Sequence, residues 1–315
     1  MALHHHFIEG LYGPLKAVKT MGRLLGLTSS NSLRVLIYHD ISPQEQPLFV
    51  SQLLWLKRSW RFVSPDQFAA LSSGGEPVFG RNLLLTFDDG VASQRRIAEE
   101  VLKPMGIRAV FFVAPDLVSD KLGDDALPFI AGRSVTRSQA QRHSGHLPYM
   151  GWSDLEALLE QGHCVGSHTA THARLSEIQT EAELEREIVA SADTLGGRLG
   201  VSIEHFAYPF GNVASFSTRA LAVARRRFRF IHSGVRGDNA RNVSPSRLWR
   251  DAVTPQDSRA LLGAYLEGAA DFYYARSRGE LARWVSEGLG RDEGPVATSL
   301  RLDATDDAAG QVTHG

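Results

Sequence analysis

Leu83-Leu84-Leu85-Thr86-Phe87-Asp88-Asp89-Gly90 is the stretch on which the reading of this chain turns. Its first five residues form a short apolar run that reads as a buried strand. Two carboxylates end the run, and Gly90 lets the chain turn. Adjacent carboxylates in a confined site cannot both stay charged at low cost, so a cation or a proton has to intervene. Taken alone, Asp-Asp-Gly is also an ordinary turn leading into a helix N-cap.

Around this stretch, strand and helix patterns alternate. Strand patterns fall at 34–38, 61–63, 83–87, 109–113, 163–166, 205–208, 228–232 and 248–253. Helical spacing appears at 53–60, 65–71, 97–102, 153–160, 181–195 and 218–226. Ser153 is expected to cap the fourth of these helices, with Glu156 completing a capping box. Such alternation argues a parallel sheet, and a closed or partly closed (β/α) barrel of seven or eight strands accommodates it. In that architecture the chemistry sits at the C-terminal ends of the strands.

The remainder of the chain frames that unit. Residues 1–30 carry an amphipathic helical pattern in which Phe7, Leu11, Leu15, Val18, Met21 and Leu25 recur among Lys16, Lys19 and Arg23. It reads as a helix packed on the barrel, with peripheral membrane contact as the sharper alternative. The barrel is expected over 31–288, interrupted by a polar, glycine-bearing insertion at 116–150 of the kind that forms lids. A disordered tail is expected over 289–315. His4-His5-His6 reads as a solvated terminal segment and is left out of the site.

The composition is that of a soluble globular domain, with 43% hydrophobic and 22% charged residues over 315 positions. A net charge of −1 provides no global field for nucleic acid, and no nucleic-acid partner is expected. One cysteine, Cys164, cannot form an internal disulfide. No signal-peptide pattern or apolar stretch of about 20 residues is evident, which leads to the expectation of a cytoplasmic protein, peripheral to the membrane at most.

Ser167-His168-Thr169-Ala170-Thr171-His172 follows another predicted strand. Two imidazoles four residues apart can meet one metal, and their position after a strand and a glycine places them on a loop. One carboxylate and two imidazoles make a three-ligand set with open positions, the pattern of a catalytic metal rather than a structural one. The second carboxylate is then available as a base. Phe206-Ala207-Tyr208-Pro209-Phe210-Gly211 ends a third strand, and its Pro and Gly fix a turn that can aim a backbone N–H into the site.

Thr86-Phe87-Asp88-Asp89-Gly90, His168-Thr169-Ala170-Thr171-His172 and Tyr208-Pro209-Phe210-Gly211, in this order, resemble the motifs of the polysaccharide deacetylases, the NodB-like carbohydrate esterases. The resemblance covers roughly residues 34–253. It implies a distorted (β/α) barrel of about seven strands, a divalent metal (zinc first), and hydrolysis of N-acetyl groups on an N-acetylated sugar or polysaccharide. It further implies Asp88 as general base, Asp89, His168 and His172 as metal ligands, and the Phe210 N–H as oxyanion donor. Two departures stand out. Ala207 occupies the position where the family often has an arginine that holds the catalytic aspartate, for which Arg247 or Arg250 is the expected substitute. No late strand-and-histidine motif is visible, whereas Leu36-Ile37-Tyr38-His39-Asp40 ends the first strand. This looks like the circularly permuted branch of the family, with His39 as general acid. The alternatives are an amidohydrolase, such as a deformylase, acting on another N-acyl sugar, and a non-catalytic glycan-binding barrel.

Overall fold

A computed structural model describes residues 8–25, 31–118, 149–240 and 244–289. Its strands are β1 (Ser32–Tyr38), β2 (Arg61–Phe62), β3 (Arg81–Phe87), β4 (Ala109–Val113), β5 (Cys164–Ser167), β6 (His205–Ala207), β7 (Phe230–His232) and β8 (Asp251–Ala252). All of their pairings are parallel, in the order β7-β6-β5-β4-β3-β1-β8, with β2 lying against the first half of β3. The segment entering β8 closes the figure. Leu248 bridges to His232 of β7, while Asp251 and Ala252 pair with Leu36 and Ile37 of β1. The sheet therefore curls into the expected distorted (β/α) barrel.

β3 shows why these residues form strands. Leu83, Leu85 and Phe87 face the outer helices, and Leu84 faces an inner cluster with Leu33, Val35, Val110, Phe112, Ala207, Phe230 and Leu248. A strand covered on both faces reads as a continuous apolar run. The helix at Pro65–Ser72 adds Phe68 and Leu71 to this inner cluster. Gly166 of β5 is required beside it, since a Cβ there would lie 2.6 Å from the Phe112 ring. Because every strand runs the same way, Tyr38, Phe87, Ser167, Ala207 and His232 all end at one pole, and the residues that follow them converge there.

Helices α1 (Tyr12–Leu24), α2 (Gln46–Leu56), α3 (Pro65–Ser72), α4 (Ser93–Ile97, running on through Ala98–Leu102 and Lys103–Met105), α5 (Trp152–Glu160), α6 (Glu181–Glu185, continuing through Arg186–Ala190 and Ser191–Leu199), α7 (Thr218–Arg227), α8 (Arg259–Leu266) and α9 (Ala275–Leu289) surround the sheet. The capping expectation at 153–160 needs correction. Helix α5 begins at Trp152 with Gly151 as N-cap, and Asp154 rather than Glu156 accepts the Gly151 N–H at 3.0 Å. Helices α8 and α9 lie where no element was expected.

The apolar stripe of α1 is only half used. Leu11, Tyr12 and Leu15 pack on the core, whereas Val18, Met21 and Leu25 are 69%, 58% and 63% exposed. No helix among the described residues is long and apolar enough to cross a membrane. Most of the expected insertion, the tail, the His4-His5-His6 run and Phe7 lie outside the described residues.

Candidate active site

Asp88 leaves β3 into the pole of the barrel, 5% exposed. Arg250 grips it from across the closure. Its Nη1 donates to Oδ1 at 2.7 Å and its Nη2 to Oδ2 at 2.9 Å, the planar fork-to-carboxylate match. Arg250 is itself held, donating through Nε to the Ser233 carbonyl at 2.8 Å and through Nη1 to Thr86 Oγ1 at 3.2 Å, and it lies 5.0 Å over the Phe112 ring. Burial pushes the Asp88 carboxyl up, but Arg250, assisted by His168 and His39, outweighs burial and holds it below the usual carboxylate range. Of the two arginines expected to stand in at Ala207, the structure brings Arg250 to the carboxylate.

Asp89 turns the other way, with a left-handed φ of 79°. Its Oδ1 lies 3.2 Å from His172 Nε2 and 3.5 Å from His168 Nε2. Enclosure raises its carboxyl, and the two imidazoles, with His39 nearby, bring it well below the usual range. One atom from each of Asp89, His168 and His172 falls within a 4.8 Å span. The donor chemistry fits a divalent metal. His168 Nδ1 lies 2.6 Å from the Ala207 carbonyl, which can only accept, so Nδ1 is the donor there and Nε2 is the nitrogen left for a metal. Asp88, occupied by Arg250, stands outside this trio.

The histidine-bearing residues form a loop, as expected after a strand and a glycine. Among the described residues, the non-glycine positions with left-handed φ are Asp89, Thr169 (62°), His172 (60°) and Phe210 (65°). Every one lies in a site motif. Each such position costs of order 1–3 kcal/mol unless its surroundings enforce it, and the β-branched Thr169 is a particular outlier.

The third motif is fixed by a close backbone crossing. Gly234 donates its N–H to the Gly211 carbonyl at 2.7 Å, and a Cβ on Gly211 would lie 2.6 Å from Gly234 Cα. Ser215 Oγ bonds the Pro209 carbonyl at 3.0 Å. The Phe210 ring sits 5.3 Å from the His172 ring, and the Arg174 guanidinium lies 4.1 Å over it.

His39 follows β1, and its imidazole lies within electrostatic reach of both Asp88 and Asp89. Asp40 anchors the loop, accepting from Ser93 Oγ at 2.5 Å. Gln94, 1% exposed, donates to the carbonyls of both His39 and Asp88 and so ties the ends of β1 and β3 together. The structure thus brings all seven expected site residues to one pole. Sequence reading missed Gln94, Ser233 and the Ala207 carbonyl, whose contributions go through the main chain and leave no motif.

The polysaccharide deacetylase family model matches residues 76–227, which contain all three motifs. Over that stretch the chain is similar to the polysaccharide deacetylase family. Among similar proteins, the Bacillus subtilis (strain 168) protein YxkH, named for the polysaccharide deacetylases, is 22% identical over 244 residues, covering 75% of this chain and 76% of its own length. IcaB from Ammonifex degensii superposes with a TM-score of 0.61 at 24% identity over 76% of this chain and 98% of its own. The Streptococcus pyogenes deacetylase PplD, solved in complex with acetate, gives 0.57 at 20% over 74% and 97%. At these identities the structural likenesses establish the shared NodB-type barrel.

Proposed function

We propose that this chain is a metal-dependent deacetylase that hydrolyses N-acetyl groups on the amino sugars of a polysaccharide or glycan precursor. One observation carries the reading. Two adjacent aspartates are sent to different partners, Asp89 to a pair of imidazoles and Asp88 to a buried arginine. A binding barrel has no use for that division. Amide hydrolysis does, because it needs both an electrophile and a separate base. The similarity to YxkH, named for the polysaccharide deacetylases, supports the same chemistry for this chain, as does the acetate held by the deacetylase PplD.

Asp89, His168 and His172 would hold the metal, with zinc first among candidates for one carboxylate and two imidazoles. Bound there, it would polarise the acyl carbonyl and acidify a water. Asp88, kept ionised by Arg250, takes the proton of the attacking water. The Phe210 N–H meets the developing oxyanion, an interaction typically worth about 3 kcal/mol. His39 protonates the departing amine, which is otherwise a very poor leaving group. The early position of His39 and the late position of Arg250 support the permuted arrangement. With Arg250 on Asp88, the alanine at 207 no longer favours a non-catalytic barrel.

The test is product release from a panel of N-acetylated, N-formylated and O-acetylated sugars and their oligomers. Acetate freed from N-acetylated members is the expected result. Formate freed instead would identify a deformylase. No product from any member, together with calorimetric binding of the intact glycan, would leave a binding protein.

A further inference from the structure

Glu187 is an acid buried to 1% exposure on α6, away from the residues assigned to chemistry. Its carboxylate accepts the Thr171 N–H at 2.9 Å through Oε2 and the Thr171 hydroxyl at 3.0 Å through Oε1. Its main-chain carbonyl accepts the Ala170 N–H at 2.9 Å. One residue thus binds three donors on the two positions between Thr169 and His172, both of which have left-handed φ. Glu187 lies within the Arg186–Ala190 π-turn, a rare widening of a helix that is frequent at functional sites. Arg186 supplies the counter-charge from its more exposed position, at 2.8 Å.

We infer that Glu187 is a positioning residue that holds the His168–His172 loop in its strained, ligand-presenting shape before a metal arrives. Its carboxylate accepts from an N–H, an O–H and a guanidinium, with the Asp116 carboxylate within electrostatic reach. Only an ionised carboxylate accepts through both oxygens, whereas a glutamine would turn an NH2 toward one of those donors. The neighbouring elements complete the frame. Thr169 Oγ1 accepts the Ala173 N–H at 3.0 Å, and the Asp116 N–H donates to the Ala170 carbonyl at 3.1 Å. Left without Glu187, the loop can relax out of the left-handed φ at Thr169 and His172, so a metal would have to reimpose that shape at the expense of affinity. Groups that orient ligands in this way typically change metal affinity by about 10–100-fold.

This inference rests on the proposed metal site, and its test separates the two. Zinc affinity of the full chain is measured by competition with a chromophoric chelator for wild type, Glu187→Gln, Thr171→Val and Thr171→Ser. Thermal melting of the same samples without metal reports folding. Glu187→Gln and Thr171→Val should each weaken zinc about 10–100-fold, while Thr171→Ser, which restores the hydroxyl, stays near wild type. If Glu187→Gln fails to fold, the valine and serine pair decides. Wild type that takes up no zinc overturns the metal reading itself. Wild type that binds zinc no more tightly than the glutamine and valine variants overturns the clamp alone.

Discussion

Replacing Arg250 by methionine removes the guanidinium while keeping an unbranched apolar stem over Phe112. Four hydrogen bonds are lost, two of them to a carboxylate that is 5% exposed. Removing one partner of a buried ion pair typically costs about 3–5 kcal/mol, because the other charge is left uncompensated. Asp88 can escape part of that cost by taking up a proton. At about 1.36 kcal/mol per unit, half of the penalty raises its pKa by roughly one to two units. The pH dependence then changes. In the wild type the folded-state pKa lies below the unfolded value of about 3.9, so the pair's stabilisation is present above that value and is lost as pH falls through the folded pKa. In the variant the folded pKa is raised, so less of that stabilisation is gained on ionisation, and the deficit against wild type widens from acid to neutral pH. The base is also protonated over more of the acid range, so the acid limb of kcat/KM moves up by the same one to two units, roughly. Urea denaturation and acetate-release kinetics across that range measure both effects. An unmoved acid limb, or a stability deficit independent of pH, would refute the pairing of Arg250 with a catalytic carboxylate.

Other substitutions separate the remaining roles. His39→Ala should lower kcat on an N-acetylated sugar by about 10²–10⁴-fold and hardly touch an activated aryl acetate, whose leaving group needs no proton; equal losses on both substrates would remove His39 as the acid. Gly211→Ala drives a methyl into the Gly234 backbone at a left-handed φ, so it should displace the Phe210 N–H and cut kcat at least about 10-fold with metal content unchanged; normal turnover would free that amide of its role. His205, bonded to His232 at 2.9 Å, is held by burial down to about 3. Its depressed pKa adds stability above its unfolded value of about 6.5, which is lost as pH falls from there toward about 3, at up to about 1.4 kcal/mol per pH unit. Denaturation of His205→Gln should show a shallower acid slope, and an identical slope would assign acid sensitivity elsewhere.

The barrel was legible because a strand buried on both faces, such as β3, leaves an unbroken apolar run. The aspartates and histidines were legible because each motif is contiguous. Arg250 was narrowed only to a choice between two residues. It lies 162 positions from Asp88, and the choice depends on how the last strand closes against β1. Helix α8 escaped notice because Leu261 through Leu266 are all buried, which erases the one-sided stripe that marks a surface helix. Gln94 and Glu187 were illegible for a different reason. Both act on main-chain groups of distant segments, and a carbonyl or amide exerts no demand on sequence that a motif could record.

The most direct test of the central claim is acetate release per bound zinc for Asp88→Asn beside wild type, with metal content and turnover read on the same samples. A side-chain amide cannot accept the water's proton, whereas Asp89, His168 and His172 are untouched. The account predicts an Asp88→Asn protein that carries wild-type zinc and releases almost no acetate. A zinc-loaded Asp88→Asn protein with near-normal turnover, or one that loses its zinc, would contradict the division of labour between the two aspartates.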